Sequence, residues 1–270
     1  MNPKGPVMLQ EFIGGIEMGV SRWMGRDGWI SPPNINFEHK KLMSSNYGPN
    51  TGEMGTVMAY VKKEKLDDEM MSPIEKGLMQ LGHLGDCDVN CIIDEKGKAW
   101  PLEFTNRPGY PAFYLMLNQH KGDPAQWMAD AIHGKMSLEV SYDVGVTVLI
   151  AQPDCPYCKR PHEETEGNPI YGINKSNLKS IQPMDVKIEK RPDMVGDKVV
   201  ERAMWVTGGQ YIAVANALGP NVSVAAKRAY EVVKGIHVSD MMVRDDIGKG
   251  LEDQLPKLQK LGYATGIRYE

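Results

Sequence analysis

Alternating hydrophobic and polar residues predict strands along much of the first half of the chain. The segment 7–13 (VMLQEFI) has a strand-like pattern and is followed by Gly14-Gly15, a turn signal. Two apolar runs flank Arg26-Asp27-Gly28, and Asp-Gly in that position favours a hairpin. A second hairpin is predicted over 88–104, with its turn at 94–97 and Glu103 near the end of its second strand.

Helical spacing of apolar residues appears in four places. The segment 66–84 has a Met-rich stripe at helical spacing, with Pro73 near its start. The segment 123–133 has an N-cap residue, Asp123, followed by proline, and a glycine comes after its end. The segments 222–233 and 251–261 complete the set, and all four predict helices.

The remaining apolar runs predict a second group of strands. They are a buried strand over 144–151, further strands within 187–206, and a hairpin at Gly208-Gly209 leading into a strand over 211–217. We place a domain boundary near 137–143, which gives domains of 1–137 and 138–270. The mixture of antiparallel strands and separate helices predicts an α+β fold.

Composition excludes several classes of protein. Lys plus Arg is 31 and Asp plus Glu is 35, so the net charge of −4 lacks the basic excess of most nucleic-acid-binding proteins. The longest apolar run, 144–151, is much shorter than the roughly 18 residues of a membrane span. With no signal peptide visible, we expect a cytoplasmic protein that binds small molecules rather than nucleic acid or membrane.

Four cysteines allow a zinc hypothesis. Cys155 and Cys158 form a Cys-x-x-Cys half-site near His162. Cys87 and Cys91 lie far upstream on one predicted strand, so the other half of a zinc site is missing. Free thiols in a reducing cytoplasm are the preferred interpretation, and zinc stays open as the alternative.

The strongest candidate site follows the second predicted hairpin. A carboxylate at a strand end, Glu103, with polar residues and Arg107 within four positions, is typical of a site that holds Mg²⁺ beside a phosphate. A solvated strand end is the alternative.

Two further segments have the composition of ligand-binding loops. The Gly-rich loop 48–55 follows Lys40 and Lys41, and its backbone N–H groups could approach an anion. His39 lies beside these lysines, and for a single histidine a structural role is more common than a catalytic one. The turn over 10–17 could present backbone groups to a base and a carboxylate to ribose hydroxyls, although surface carboxylates are the alternative.

The order of these motifs resembles a known family. They are Gln10-Glu11-Phe12, Gly15-x-Glu17, Glu38-His39-Lys40-Lys41, Gly48-Pro-Asn-Thr-Gly52-x-Met54-Gly55 and Glu103-Phe104-x-x-Arg107. The chain resembles the phosphoribosylamine–glycine ligases, which are ATP-grasp enzymes. Three later segments extend the resemblance to nearly the whole chain: 207–210, 226–230 and 244–248.

This resemblance implies an incomplete ATP-grasp core. Residues 1–137 correspond to its second half, an antiparallel sheet with flanking helices, and 138–270 to a small mixed α/β C-terminal domain. The chain begins about where the family's lid returns to the adenine-binding hinge. We therefore expect a separate polypeptide to supply the N-terminal and lid domains.

The resemblance also implies site residues, with ATP and Mg²⁺ (or Mn²⁺) as cofactors and glycine and 5-phosphoribosylamine as substrates. The ATP-binding residues are Gln10, Glu11, Phe12, Ile13 and Glu17; the substrate-binding residues are His39, Asn50, Thr51, Gly52 and Arg107; the catalytic residues are Lys40, Lys41 and Arg107; the metal ligands are Glu103 with Thr105 or Asn106.

Two departures from the family leave alternatives open. Thr105 stands where the family has Asn, and 108–112 replaces an acidic stretch of the family. The alternatives are an ATP-grasp ligase for a different amino acid and amine, and a non-catalytic remnant that binds nucleotides or other proteins.

Overall fold

A computed structural model describes residues 7–157, 159 and 162–270. The strands are β1 Ile16–Gly25, β2 Gly28–Trp29, β3 Asn34–Glu38, β4 Lys41–Met43, β5 Tyr47–Asn50, β6 Thr56–Tyr60, β7 Gly85–Ile93, β8 Ala99–Thr105, β9 His120–Lys121, β10 Glu139–Val140, β11 Val144–Ala151, β12 Pro169–Ile170, β13 Ile181–Pro183, β14 Val186–Val195, β15 Lys198–Thr207 and β16 Tyr211–Gly219. The α-helices are α1 Glu75–Gln80, α2 Ala112–Gln119, α3 Pro124–Ile132, α4 His162–Thr165, α5 Val222–Lys234 and α6 Leu251–Lys260.

A large antiparallel sheet organises the fold. Its strand order is β13-β16-β11-β6-β3-β1-β7-β8, and β2 pairs with β1 as a ninth strand. The predicted hairpins at Arg26-Asp27 and at 94–97 are confirmed, because Gly25 pairs with Gly28 and Ile93 with Ala99. The α+β expectation, with a large antiparallel sheet, is also confirmed.

Alternation along the central strands divides the core between the two faces of the sheet. On one face, Val20, Ile35 and Val57 are buried in a large cluster to which α5 and α6 contribute their apolar residues. On the other face, Trp23 and Met58 pack with residues of α2 and α3 in a smaller cluster. This second face also carries buried polar residues, and it positions the candidate site.

The predicted helices at 123–133, 222–233 and 251–261 are confirmed as α3, α5 and α6. Asp123 caps α3 by accepting a hydrogen bond from the Ala125 N–H. The helix predicted over 66–84 is confirmed for most of its length, since helical backbone runs without interruption over residues 65–80 and ends before 84. It is not a regular α-helix: a π-helical turn at Asp67–Met71 and a 3-10 turn at Ser72–Ile74 precede the short α1. Pro73, which cannot donate a helical hydrogen bond, lies where the helix type changes.

Two expectations are wrong. Residues 7–13 form no strand; they run in irregular conformation and most are exposed. Gly208-Gly209 is not a hairpin, because β15 pairs with β12 and β14 in a separate three-stranded sheet while β16 belongs to the large sheet. The glycines there turn the chain from one sheet to the other.

The large sheet crosses the predicted domain boundary. Strand β6 pairs with β11 through Met58 opposite Gly145 and Val57 opposite Val146. The division into 1–137 and 138–270 stays a prediction. Among the described residues, no helix has the length and apolarity needed to cross a membrane.

Candidate functional site

Polar residues at every second position of three strands, β3, β7 and β8, form one surface of the large sheet, with β1 between β3 and β7. They are Asn34, Asn36 and Glu38 on β3, Asp86, Asp88 and Asn90 on β7, and Glu103 and Thr105 on β8. Cross-strand register joins them: Asn90 lies opposite Glu103, and Asp88 lies opposite Thr105. Between β3 and β7, Gly19 of β1 lies opposite both Asn36 and Asn90.

Lys40 lies at the outer rim of this surface. Its Nζ atom is 2.7 Å from Glu17 Oε1, 3.4 Å from Glu38 Oε2 and 3.5 Å from Glu103 Oε1. Burial opposes the charged form of Lys40, but the hydrogen bond that Lys40 donates to Glu17 and the charges of all three carboxylates raise its pKa above the ordinary value. Three residues predicted from separate motifs, Glu17, Lys40 and Glu103, therefore meet at one point.

A polar cavity of about 450 Å³ opens beside this cluster. Five of its lining residues are predicted site residues: Glu17, His39, Lys40, Lys41 and Asn50. The neighbouring Thr51 supports the wall, since its hydroxyl donates to the Lys40 carbonyl at 2.8 Å. Gly52 is exposed next to it.

The opposite wall of the cavity comes from the last third of the chain. Arg244, only 2% exposed, donates through Nε to Asp246 Oδ1 at 2.6 Å and through Nη1 to the Lys41 carbonyl at 3.0 Å. Sequence reasoning used Arg244 and Asp246 as part of a family motif without assigning them to a site. Here they hold the β4–β5 segment against the C-terminal part of the chain.

His39 is half-buried beside this wall. Its Nε2 atom accepts a hydrogen bond from the Gly248 N–H at 3.2 Å. Burial and the nearby Arg244 charge lower the pKa of His39 from 6.5 to about 4. The imidazole is therefore neutral at physiological pH and ties two chain segments together; its role in substrate binding stays a prediction.

Buried carboxyl groups lie behind the Lys40 cluster, and sequence reasoning did not find them. Burial and the charge of Glu38 raise the pKa of Asp88 to about 7 and that of Glu53 well above its ordinary range. Asp88 Oδ2 accepts a hydrogen bond from Asn36 Nδ2 at 2.7 Å. The sequence does contain a signal for the buried carboxyl group on β7. Polar residues recur at every second position of β3 and β7, between apolar residues that belong to the core.

The predicted adenine-binding residues occupy a second groove. Residues 10–13 line a space of about 460 Å³ with Ile92 and residues 100–102 of the edge strand β8. Phe12 is 91% exposed there. Of the predicted ATP-binding residues, only Glu17 lines the cavity beside Lys40.

The predicted metal ligands lie at the end of β8. The Glu103 side chain is 53% exposed, and its Oε1 atom also accepts from Asn90 Nδ2 at 3.4 Å. Asn106 and Arg107 are exposed beyond it, and Arg107 Nη1 donates to the Pro108 carbonyl at 3.3 Å. An accessible carboxylate with nearby hydroxyl and amide oxygens fits Mg²⁺, which needs only one or two protein carboxylates when phosphate oxygens complete its shell. In the part of the chain that the structure describes, no three His, Cys, Asp or Glu residues form a metal-binding group.

The zinc hypothesis falls partly outside the described residues. Cys158 is not among them, and the side chain of His162 is not described. Cys87 and Cys91 are buried on β7, the single strand that the sequence predicted for them.

Comparison with known proteins identifies distant homologues. No family model matches the chain. It is similar to the phosphoribosylamine–glycine ligases of Escherichia coli O6:H1, with 25% identity over 250 residues, and of Neisseria meningitidis serogroup B, with 25% identity over 256 residues. These alignments cover 90% and 91% of this chain but 55% and 57% of the relatives. The chain thus spans about half the length of the curated relatives it matches.

Solved structures agree at the level of fold. The crystal structure of phosphoribosylamine–glycine ligase from Thermotoga maritima matches 88% of this chain and 57% of its own, with a TM-score of 0.63 and 20% identity. The biotin carboxylase domain of a thermophilic 2-oxoglutarate carboxylase matches with a TM-score of 0.51 and 12% identity, over 86% of this chain and 49% of its own. The fold therefore corresponds to part of the ATP-grasp architecture.

Proposed function

We propose that this chain, a distant homologue of the phosphoribosylamine–glycine ligases, is part of an ATP-dependent carbon–nitrogen ligase. The observation that carries the proposal is the convergence of Glu17, Glu38 and Glu103 on the Lys40 ammonium group beside a polar cavity. A cation held at the mouth of such a cavity can meet the phosphate groups of ATP, and an accessible carboxylate beside it can bind the accompanying Mg²⁺.

In the first chemical step, a carboxylate oxygen of the amino acid attacks the γ-phosphorus of ATP. A new P–O bond forms, the bond to the β–γ bridging oxygen breaks, and ADP leaves. Glu103 would hold Mg²⁺, which when bound neutralises phosphate charge. Lys40 and Arg107 would stabilise the negative charge that develops during transfer, and no covalent protein nucleophile is needed.

In the second step, the amine substrate attacks the carbonyl carbon of the acyl phosphate. The C–N bond forms, and inorganic phosphate leaves with the oxygen that came from the carboxylate. The amine loses a proton as the amide forms. The contribution of this chain is to hold the two substrates next to each other and to keep the reactive anhydride away from water.

Glycine and 5-phosphoribosylamine are the first candidate substrates, because the homologues are named for that pair. A specific observation favours a different amine or amino acid as the second candidate. Residues 108–112, which follow Arg107, lack the acidic run that the phosphoribosylamine–glycine ligases carry there, so this chain would present different groups to the acceptor substrate.

We also infer that further parts of the ligase, corresponding to the unmatched length of the homologues, complete the site. The exposed residues 7–12 and the open edge of β8 supply a surface that these parts could cover.

The test measures ADP formation by the full chain, together with any polypeptide that purifies with it, in the presence of MgATP, glycine and 5-phosphoribosylamine. We expect one ADP for each amide formed. Glu103→Gln and Lys40→Ala should each lower the rate by roughly 10²- to 10³-fold. Glu252→Gln, an exposed change on α6, is the matched control and should leave the rate unchanged.

ADP formation with other amino acid and amine pairs, but not with this one, would support the second candidate. Failure of every pair to stimulate ATP consumption would contradict the ligase proposal and favour a non-catalytic binding role.

A further inference from the structure

Strands β14 and β15 form a hairpin arm that extends away from the core. They pair over their full length, from Val186 opposite Thr207 at the root to Val195 opposite Lys198 at the tip. The third strand of this sheet, β12, pairs with β15 only near the root, and residues 194–203 are all exposed. The outer part of the arm is thus a two-stranded ribbon, which is only marginally stable in water unless one of its faces is packed.

One face of the arm satisfies its charges within the chain. Side chains directly opposite each other on two paired strands lie on the same face of the sheet. On this face Arg191 Nη2 lies 2.8 Å from Glu189 Oε2, and Arg202 Nε lies 3.0 Å from Asp193 Oδ2. These ion pairs need no further partner.

The other face, which we call the arm face, is exposed and largely apolar. Its cross-strand pairs, from root to tip, are Ile188 with Trp205, Lys190 with Ala203, Pro192 with Glu201, and Met194 with Val199. Ile188, Met194 and Val199 are 61%, 62% and 68% exposed. Lys190 and Glu201 are the two charges of this face, and neither takes part in an ion pair among the residues that the structure describes.

The pattern of the arm face is the same when read from either end. Its four cross-strand pairs form four rows: the rows at the root and the tip are apolar, and each middle row has one charge. Consider a two-fold axis perpendicular to the strands, midway between the middle rows. Rotation about it lays the root row of one copy over the tip row of another. It also brings Lys190 of each copy into the same row as Glu201 of the other, one strand away.

This arrangement favours attraction between the charges. Neighbouring strands are about 5 Å apart, whereas neighbouring rows are about 7 Å apart along the strands. Each charge therefore lies nearer to the opposite charge of the other copy than to the like charge. Because a two-fold contact repeats every favourable pair, both Lys190–Glu201 pairs form at once.

We propose that the arm face binds the arm face of a second copy of this chain, which gives a two-fold symmetric dimer. The dimer supplies the apolar cover that the ribbon lacks and a partner for each unpaired charge. An acidic or a basic partner of another kind would satisfy only one of the two charges. Four rows span only about 20 Å, so the contact buries less than the roughly 1,600 Å² of a standard interface, and we expect micromolar affinity.

The test measures sedimentation velocity of the full chain alone, at concentrations from low micromolar to near millimolar. Lys190→Glu and Glu201→Lys each turn both charge pairs between the copies into like-charge pairs. Lys198→Glu makes the same change of charge at the tip, on the opposite face of the arm, and is the matched control. All three positions are exposed, so the fold is kept in every variant.

We expect a reversible monomer–dimer equilibrium for the unchanged chain and for Lys198→Glu. Lys190→Glu and Glu201→Lys should each raise the dissociation constant by roughly tenfold, because two attractions become two repulsions. An equal mixture of these two variants should dimerise again. Each copy of one variant then meets a copy of the other in which every charge on the arm face is opposite.

Three results would overturn the proposal. A chain that stays monomeric at the highest concentration would leave the arm face to a different molecule. Dimers that form equally well with Lys190→Glu and with Glu201→Lys would place the contact elsewhere on the surface. A mixture of the two variants that dimerises no better than either alone would show that the charges do not pair between copies. The ligase proposal does not depend on these results, because ADP formation tests it separately.

Discussion

Glu64 shows how one buried carboxyl group links distant parts of the chain. Its Oε2 atom accepts a hydrogen bond from the Ala264 N–H at 3.0 Å, 200 residues away. Burial raises the pKa of Glu64 from 4.5 to about 7, although the backbone hydrogen bond from Ala264 opposes the rise. The folded protein therefore favours the neutral form of a group that ionises readily when unfolded.

This gives a prediction about pH. The free energy of unfolding should fall as pH rises from about 4.5 to about 7.5, because the unfolded state releases the Glu64 proton first. Glu64→Gln should remove roughly 2–3 kcal/mol of that fall. Urea unfolding at several pH values measures the free energy of unfolding of each variant. Glu231→Gln, an exposed change, is the control. Equal pH profiles for Glu64→Gln and Glu231→Gln would contradict the prediction.

Residues with distinctive motifs were predictable from sequence, and buried polar partners were not. Glu17, Lys40 and Glu103 belong to separate motifs, and the structure brings their charged groups together. Asp88 was missed because one sequence does not reveal which face of a strand is covered. Glu53 was missed because it lies in the loop between β5 and β6, and its burial depends on tertiary packing.

Among elements, the β4–β5 hairpin depends on one buried cation. Besides Asp246 and the Lys41 carbonyl, Arg244 donates through Nη2 to Asn46 Oδ1 at 3.0 Å, in the turn between the two strands. The hairpin forms one wall of the candidate cavity, so its position depends on this contact.

Arg244→Leu should lower the free energy of unfolding by roughly 2–4 kcal/mol, because it removes the ion-pair partner of Asp246 and the donor to the Lys41 carbonyl and Asn46 Oδ1. Chemical denaturation measures the change. Arg228→Leu removes an exposed arginine on α5 that makes a single backbone contact, and it should change stability by no more than about 0.5 kcal/mol. Similar losses in both variants would show that Arg244 has no special structural role.

Elements with local signals were predicted well, and those that depend on partners were not. The Asp-Gly turn before β2 and the N-cap of α3 are local, and both are confirmed. Residues 7–13 have a strand pattern but pair with no described strand, and a pattern alone does not supply a neighbour. Gly208-Gly209 signals a turn but not which strands it joins.

At the scale of the whole molecule, one sheet and one large core join the two predicted parts. Val57 and Val146 lie in the same apolar cluster as Leu251, and β6 pairs directly with β11. The chain nevertheless matches only about half the length of its homologues. We propose that this half supplies the acidic and cationic groups of an acyl-phosphate-forming site.

The transfer of ¹⁸O from the substrate carboxylate to the released phosphate tests that proposal most directly. The amino-acid substrate is labelled with ¹⁸O in its carboxylate, and the phosphate released during amide formation is analysed by mass spectrometry. An acyl phosphate intermediate predicts one ¹⁸O atom in each phosphate released, and loss of the reaction with Glu103→Gln. Phosphate without ¹⁸O would show that water attacks ATP directly, and it would contradict the ligase mechanism.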